Sequence, residues 1–104
     1  MTLTEIRDLV LSADPTAEHY ASAHQDMDFT VWAETRRSED TCDNRHDRAW
    51  HFTVTRVTRT EFDPVAEAIE AALDENDMTA YQYKVETQID DSGLIIIHRF
   101  DCEG

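Results

Sequence analysis

Residues 29–73 constrain this chain more than any other stretch, because they change period twice. Phe29, Val31 and Ala33 alternate with Thr30, Trp32 and Glu34, the two-residue repeat of a β-strand rich in aromatic and β-branched side chains. Residues 35–48 then carry almost no apolar side chain, and a loop of that length in a compact domain is usually functional or disordered. From Trp50 the alternation resumes, with Trp50, Phe52 and Val54 against His51, Thr53 and Thr55. One face of that strand is apolar, so it covers a core on one side. Asp63-Pro64 next opens a helix, since the Asp side chain accepts bonds from free amides and proline fits the first helical position. Val65, Ala68, Ile69, Ala72 and Leu73 form its apolar stripe. Asn76 should end it, being tolerant of the left-handed cap position.

The flanks complete the pattern. Thr2 and Glu5 have capping-box spacing, and Leu3, Ile6, Leu9 and Val10 recur at helical intervals. This predicts a short helix to about Leu11, stopped before Pro15. Residues 17–28 read as a polar connector, with room for a helical turn. Tyr81, Tyr83 and Val85 alternate with Gln82, Lys84 and Glu86 as a third strand. Asp90-Asp91-Ser92-Gly93 turns the chain into a fourth strand, and these two form a hairpin. The expected fold is one α+β domain over residues 1–104, with an antiparallel four-stranded sheet and helices packed on one face, in the order helix-strand-strand-helix-strand-strand. Residues 94–97 are apolar on both alternating faces. Such a strand is either covered on both sides or has its outer face against another subunit.

Charge narrows the function classes. With 104 residues, 23 Asp plus Glu, 9 Lys plus Arg and a net charge of -14, the chain repels a phosphate backbone. Lys84 is the only lysine, and Arg36, Arg37, Arg45, Arg48, Arg56 and Arg59 are interleaved with acids, threonines and histidines. A solvated mixed-charge surface follows. No basic segment is joined to an apolar run near the first residues, and no apolar stretch approaches a membrane span. A soluble, intracellular protein with reduced thiols is expected. Cys42 and Cys102 have no metal-finger spacing, and sequence separation does not decide whether they meet.

Catalytic and metal readings are weak. Cys42, Asp43, His46 and Asp47, with His51 beyond, are potential ligands, but only Cys42 and His46 approach a zinc-type spacing. The competing description, a solvated loop of turn-forming Asp and Asn, is preferred. Histidines 19, 24, 46, 51 and 98 include candidate general bases. No nucleophile motif accompanies them, and glycines at 93 and 104 alone leave no phosphate-binding loop. We expect no enzyme activity, cofactor or metal. His98 is read as a structural, hydrogen-bonded histidine, and Trp50 as a core residue. Trp32 sits on the polar side of its strand by alternation, which makes it a candidate interface aromatic, with packing under the connector as the other reading. Glu39, Asp40, Asp43 and Asp47 form a candidate negative rim, and Ile95 and Ile97 a candidate apolar assembly surface.

The order FTVWAE, a loop with Cys42-Asp43-Asn44, the strand Trp50-x-Phe52-x-Val54, the helix from Asp63-Pro64-Val65-Ala66-Glu67 to Leu73, and Asp90-Asp91-Ser92-Gly93-Leu94 before a strand ending at Phe100 resembles the tail terminator, or tail completion, proteins of long-tailed bacteriophages and prophages. The resemblance spans about three quarters of the chain, from Phe29 on, with Asp28-Phe29 where the family often has Pro-Tyr. It implies a structural protein of the virion tail, present in host cytoplasm during assembly. Such a protein forms a ring, commonly a hexamer, that stops tube polymerisation. Its implied partners are its own copies, the tail tube protein and head-tail connector proteins. DNA passes through such a ring without specific binding, and no membrane is involved. An acidic lumen suits that passage, because a basic one would hold the duplex by counterion release. The rival expectation is a small acidic cytosolic regulator that binds a basic protein partner.

Overall fold

The computed structural model describes residues 1–22, 28–38 and 49–104. It is an α+β chain in which α1 (Leu3–Ala13), β1 (Glu18–His19), β2 (Phe29–Ser38), β3 (Ala49–Thr58), α2 (Pro64–Glu75), β4 (Ala80–Asp90) and β5 (Gly93–Glu103) follow in sequence. The sheet has five strands in the order β1-β2-β3-β5-β4. It is mixed rather than wholly antiparallel: β1 runs parallel to β2, pairing Glu18 with Val31 and His19 with Trp32. This corrects the four-stranded antiparallel expectation. Two residues are too few to display a period, so the connector concealed a strand.

Local chemistry sets the helix ends. Thr2 Oγ1 accepts from the Glu5 amide at 3.1 Å and Glu5 Oε1 accepts from the Thr2 amide at 3.1 Å, a complete capping box. Helix α1 runs two residues beyond Leu11, to Ala13, and ends when the Asp14 amide bonds Val10 O just before Pro15. Asp63 caps α2 by accepting from the Val65 and Ala66 amides at 3.3 and 3.2 Å. Asn76 ends α2 in extended backbone, φ -93, rather than in the left-handed conformation. Its side chain accepts from the Met78 amide at 2.9 Å instead, so an Asx turn does the stopping. Gly93, at φ 117, supplies the positive backbone angle that closes the β4–β5 turn.

Both helices lie on one face of the sheet. Ile6 and Val10 of α1 and Ile69 and Leu73 of α2 cluster with Trp32, Phe52, Val54, Phe100 and Cys102. Burial of these side chains is the main source of stability, at about 1.5–3 kcal/mol for each large one. Phe52, Val54, Arg56 and Thr58 alternate inward along β3. The polarity of β2 is the reverse of a simple apolar-in reading. Thr30 and Trp32 are buried under the helices, whereas Phe29, Val31 and Ala33 take the opposite face and are only half-buried. β2 also extends through Arg36 and Arg37 to Ser38, with a register shift between Glu34 and Arg36. Part of the expected loop is therefore strand. Among the described residues no helix is long and apolar enough to cross a membrane.

Candidate assembly surface

Strand alternation builds two unlike faces. Opposite the helices, Phe29 pairs with Val57, Val57 with Ile97, and Ile97 with Glu86, placing three apolar side chains side by side across β2, β3 and β5. Ile95 adjoins them one step along β5. All four are half-buried, and none belongs to the core cluster beneath the helices. Away from this corner the same face becomes polar, with Thr53, Thr55, Arg99 and Asp101 following in register. Lys84 and Asp101 stand 3.6 Å apart, and Arg99 and Glu86 3.9 Å, all well exposed. Such pairs contribute at most about 1 kcal/mol each. The apolar run of residues 94–97 thus divides by parity: Ile96 enters the core while Ile95 and Ile97 face outward.

Trp32 belongs elsewhere. It is 4% exposed, and the His19 ring stacks on it with centroids 3.9 Å apart. Tyr20 stacks on the other side of His19 at 3.8 Å. Glu34 joins them, with Oε2 2.6 Å from His19 Nε2 and Oε1 accepting from the Tyr20 hydroxyl. Burial resists ionisation of Glu34, but these hydrogen bonds outweigh it and lower its pKa. The cluster fastens β1 to β2 and allows Tyr20 its positive φ of 70. Its stacked rings and the two bonds to one carboxylate give it a structural role at this sheet edge. Trp32 consequently joins the core, not the outward-facing apolar corner.

The least anticipated arrangement centres on Arg56, 6% exposed in the middle of β3. Its Nε donates to Asp63 Oδ2 at 2.8 Å and its Nη1 to Thr30 Oγ1 at 3.4 Å. Asp14 Oδ2 lies 3.7 Å from Nη1 and Asp28 Oδ2 3.9 Å from Nη2. The Asp14 Oδ2 contact is electrostatic only, since that atom accepts no hydrogen bond. One cation thus ties the end of α1, the start of α2 and strand β2 to β3. The alternation that assigns Phe52 and Val54 inward also assigns Arg56 inward, which was the available signal. Burial opposes ionisation of Asp63, but the Arg56 guanidinium and the α2 amides overcome it and its pKa is lowered. Burial likewise opposes ionisation of Asp14, but the neighbouring Thr30 and Thr16 and the charge of Arg56 outweigh it and its pKa is lowered.

A depressed folded-state pKa contributes stability that is complete above the unfolded value, about 3.9, and is lost as pH falls through the folded value. Thermal unfolding should therefore show a midpoint falling progressively below about pH 4. Asp63→Asn retains a capping side chain but removes this titration. Its melting temperature should start lower and fall less steeply than that of the parent; parallel curves would contradict the assignment.

Trp50 is half-buried against the core, with the Arg37 guanidinium 5.6 Å from its ring centroid. His98 faces inward, and its Nδ1 is 2.6 Å from the Tyr83 hydroxyl. Desolvation lowers its pKa, so the imidazole is neutral at physiological pH. Cys102 is a free, buried thiol whose pKa burial pushes up to about 12, leaving it inert as a nucleophile. His51 approaches Glu103 at 3.9 Å. Glu39, Asp40, Asp43 and Asp47 lie outside the described residues, as do Cys42 and His46. Among the described residues no group of three or more His, Cys, Asp or Glu side chains is disposed to hold a metal. In comparisons with known proteins, no family model and no curated protein matches the chain.

Proposed function

We propose that this chain is a structural assembly protein of the tail terminator kind, acting as a ring at the head-proximal end of a phage or prophage tail tube. In that role it stops tube polymerisation and joins tail to head. Copies of itself, the tube protein and connector proteins are its partners, and DNA passes through the ring. The observation that carries this reading is the half-buried apolar corner of Phe29, Val57, Ile97 and Ile95 on the sheet face opposite the helices. A patch of this kind on one side of a subunit suits a head-to-tail contact, in which it meets a different surface of the next copy and rotation closes the ring. The net charge of -14 also favours a conduit over a nucleic-acid clamp.

The test is polymerisation of tail tube protein in the presence of the purified chain, followed by electron microscopy of tube lengths and ends. Short tubes bearing a terminal ring are expected, and tubes of unchanged length with bare ends would refute the role. Ile97→Asp removes apolar surface at the centre of the patch without entering the core. It should weaken capping by roughly thirtyfold, corresponding to about 2 kcal/mol for a central interface residue, with unchanged circular dichroism. A chain that ignores tube protein and binds a basic protein partner instead would favour the acidic-regulator reading.

A further inference from the structure

We propose that a second copy of this chain adds to the edge of the sheet that no described strand covers, β4 against β4, as an antiparallel two-fold pair centred on Val85. This surface differs from the apolar corner and stands independently of the ring. β4 is a terminal strand of the sheet, eleven residues long, bonded on one side to β5. Which of its backbone groups are free follows from the register. Trp50 and Gly104 exchange both backbone hydrogen bonds, at 2.9 and 3.0 Å, and that pair continues the β3–β5 register of Phe52 with Cys102. Bonding therefore falls on even residues of β5 toward β3 and on odd residues toward β4, because antiparallel strands alternate. Odd residues of β5 oppose even residues of β4. The N–H and C=O groups of Tyr81, Tyr83, Val85, Thr87 and Ile89 consequently point out of the sheet.

A two-fold antiparallel pair must match odd residues to odd ones. Centring it on Val85, the midpoint of β4, pairs all eleven residues: Val85 with itself, Tyr83 with Thr87, Tyr81 with Ile89, and Lys84 with Glu86. Lys84 and Glu86 then occupy non-hydrogen-bonded positions, where side chains approach most closely. Within each copy Lys84 lies directly across from Arg99 in the β4–β5 register and reaches diagonally to Asp101, while Glu86 reaches diagonally to Arg99; the pairing sets an opposite charge directly across from Lys84 and from Glu86. Sliding the pair by one residue per copy sets Lys84 against Lys84 or Glu86 against Glu86, which like-charge repulsion disfavours. On the other face, Tyr83, Val85, Ile89 and Leu94 make up four of the seven exposed large hydrophobics among the described residues. Unmet apolar surface is thus concentrated on the hairpin that the pairing would cover. Ile89, 84% exposed, comes to lie beside Tyr81 of the second copy. A contact that closes on itself also caps the edge against further strand addition.

Sedimentation equilibrium of the purified chain over a range of concentrations should show a reversible monomer–dimer equilibrium. Lys84→Glu and Glu86→Lys each create two like-charge contacts across the axis, and each alone should weaken the dimer by roughly tenfold or more. Mixing the two variants should restore it, because a chain with two acids then faces a chain with two lysines. Val85→Pro removes an outward amide donor without removing a bond to β5, and should abolish the dimer while leaving the circular dichroism spectrum unchanged. A parent chain that stays monomeric, a dimer indifferent to Val85→Pro, or a mixture of the charge variants that does not pair would each overturn the proposal.

Discussion

Replacing Arg56 by Met is expected to destabilise the chain by about 3–5 kcal/mol in urea denaturation, the cost of removing one partner from a buried ionic cluster. Met supplies similar bulk, so the loss measures charge and hydrogen bonding more than a cavity. Asp63 and Asp14 are each 5% exposed, and both were held ionised in part by the guanidinium. Deprived of it, each is left with a desolvated charge or must take up a proton. The helix cap suffers as well, because the Asp63 oxygen that receives Arg56 Nε also accepts from the Ala66 amide. Arg56→Lys should lose an intermediate amount, since one ammonium cannot reach Asp63, Thr30 and Asp14 together as a fork does. Arg59 gives the contrast. Its bidentate bonds to Asp90, at 3.0 and 2.7 Å, are the better geometry, but the pair is exposed, so Arg59→Ala should cost no more than about 1 kcal/mol. Equal losses at Arg56 and Arg59 would show that burial does not set the hierarchy.

Where the sequence carried a strong local signal, the structure could be read from it. Asp63-Pro64 and the stripe ending at Leu73 place α2 because cap chemistry and helical period agree. Thr2 and Glu5 do the same for the start of α1. On β3 the apolar alternation was one-sided, so Phe52 and Val54 were legible as core. β2 was ambiguous for a physical reason: Phe29 and Val31 on one face compete with Trp32 on the other. Tertiary contacts broke the tie, because β1 and Arg56 satisfy the inward side while His19 covers Trp32 and Thr30 bonds to the guanidinium. The outward apolar corner was legible only at Ile95 and Ile97, from a run too apolar for a strand with one wet face. Their neighbours Phe29 and Val57 required the register, which alternation within each strand does not specify.

Trp32→Ala is expected to cost about 3–5 kcal/mol, as for other large aromatic-to-alanine changes in a core. Against the 5–15 kcal/mol typical of a whole domain, this is enough to lower the melting temperature by roughly 15–30 °C. The loss has two physical parts. Trp32 opposes Val54 in the β2–β3 register and belongs to the same cluster as Phe52, Val54 and Phe100, so truncation leaves a cavity beneath both helices. It also removes the ring on which His19 stacks. With only two residues, β1 has little hydrogen bonding of its own to remain in place. Exchange of the Tyr20 amide, bonded to Trp32 O at 2.9 Å, should therefore accelerate more than exchange at Val54. Trp32→Phe retains an aromatic surface and should lose a smaller share of stability while keeping β1 protected. These outcomes separate a core role from an interface role sharply. A surface aromatic truncated to alanine would leave the melting temperature nearly unchanged and weaken assembly alone, and that result would return Trp32 to the exterior of the subunit.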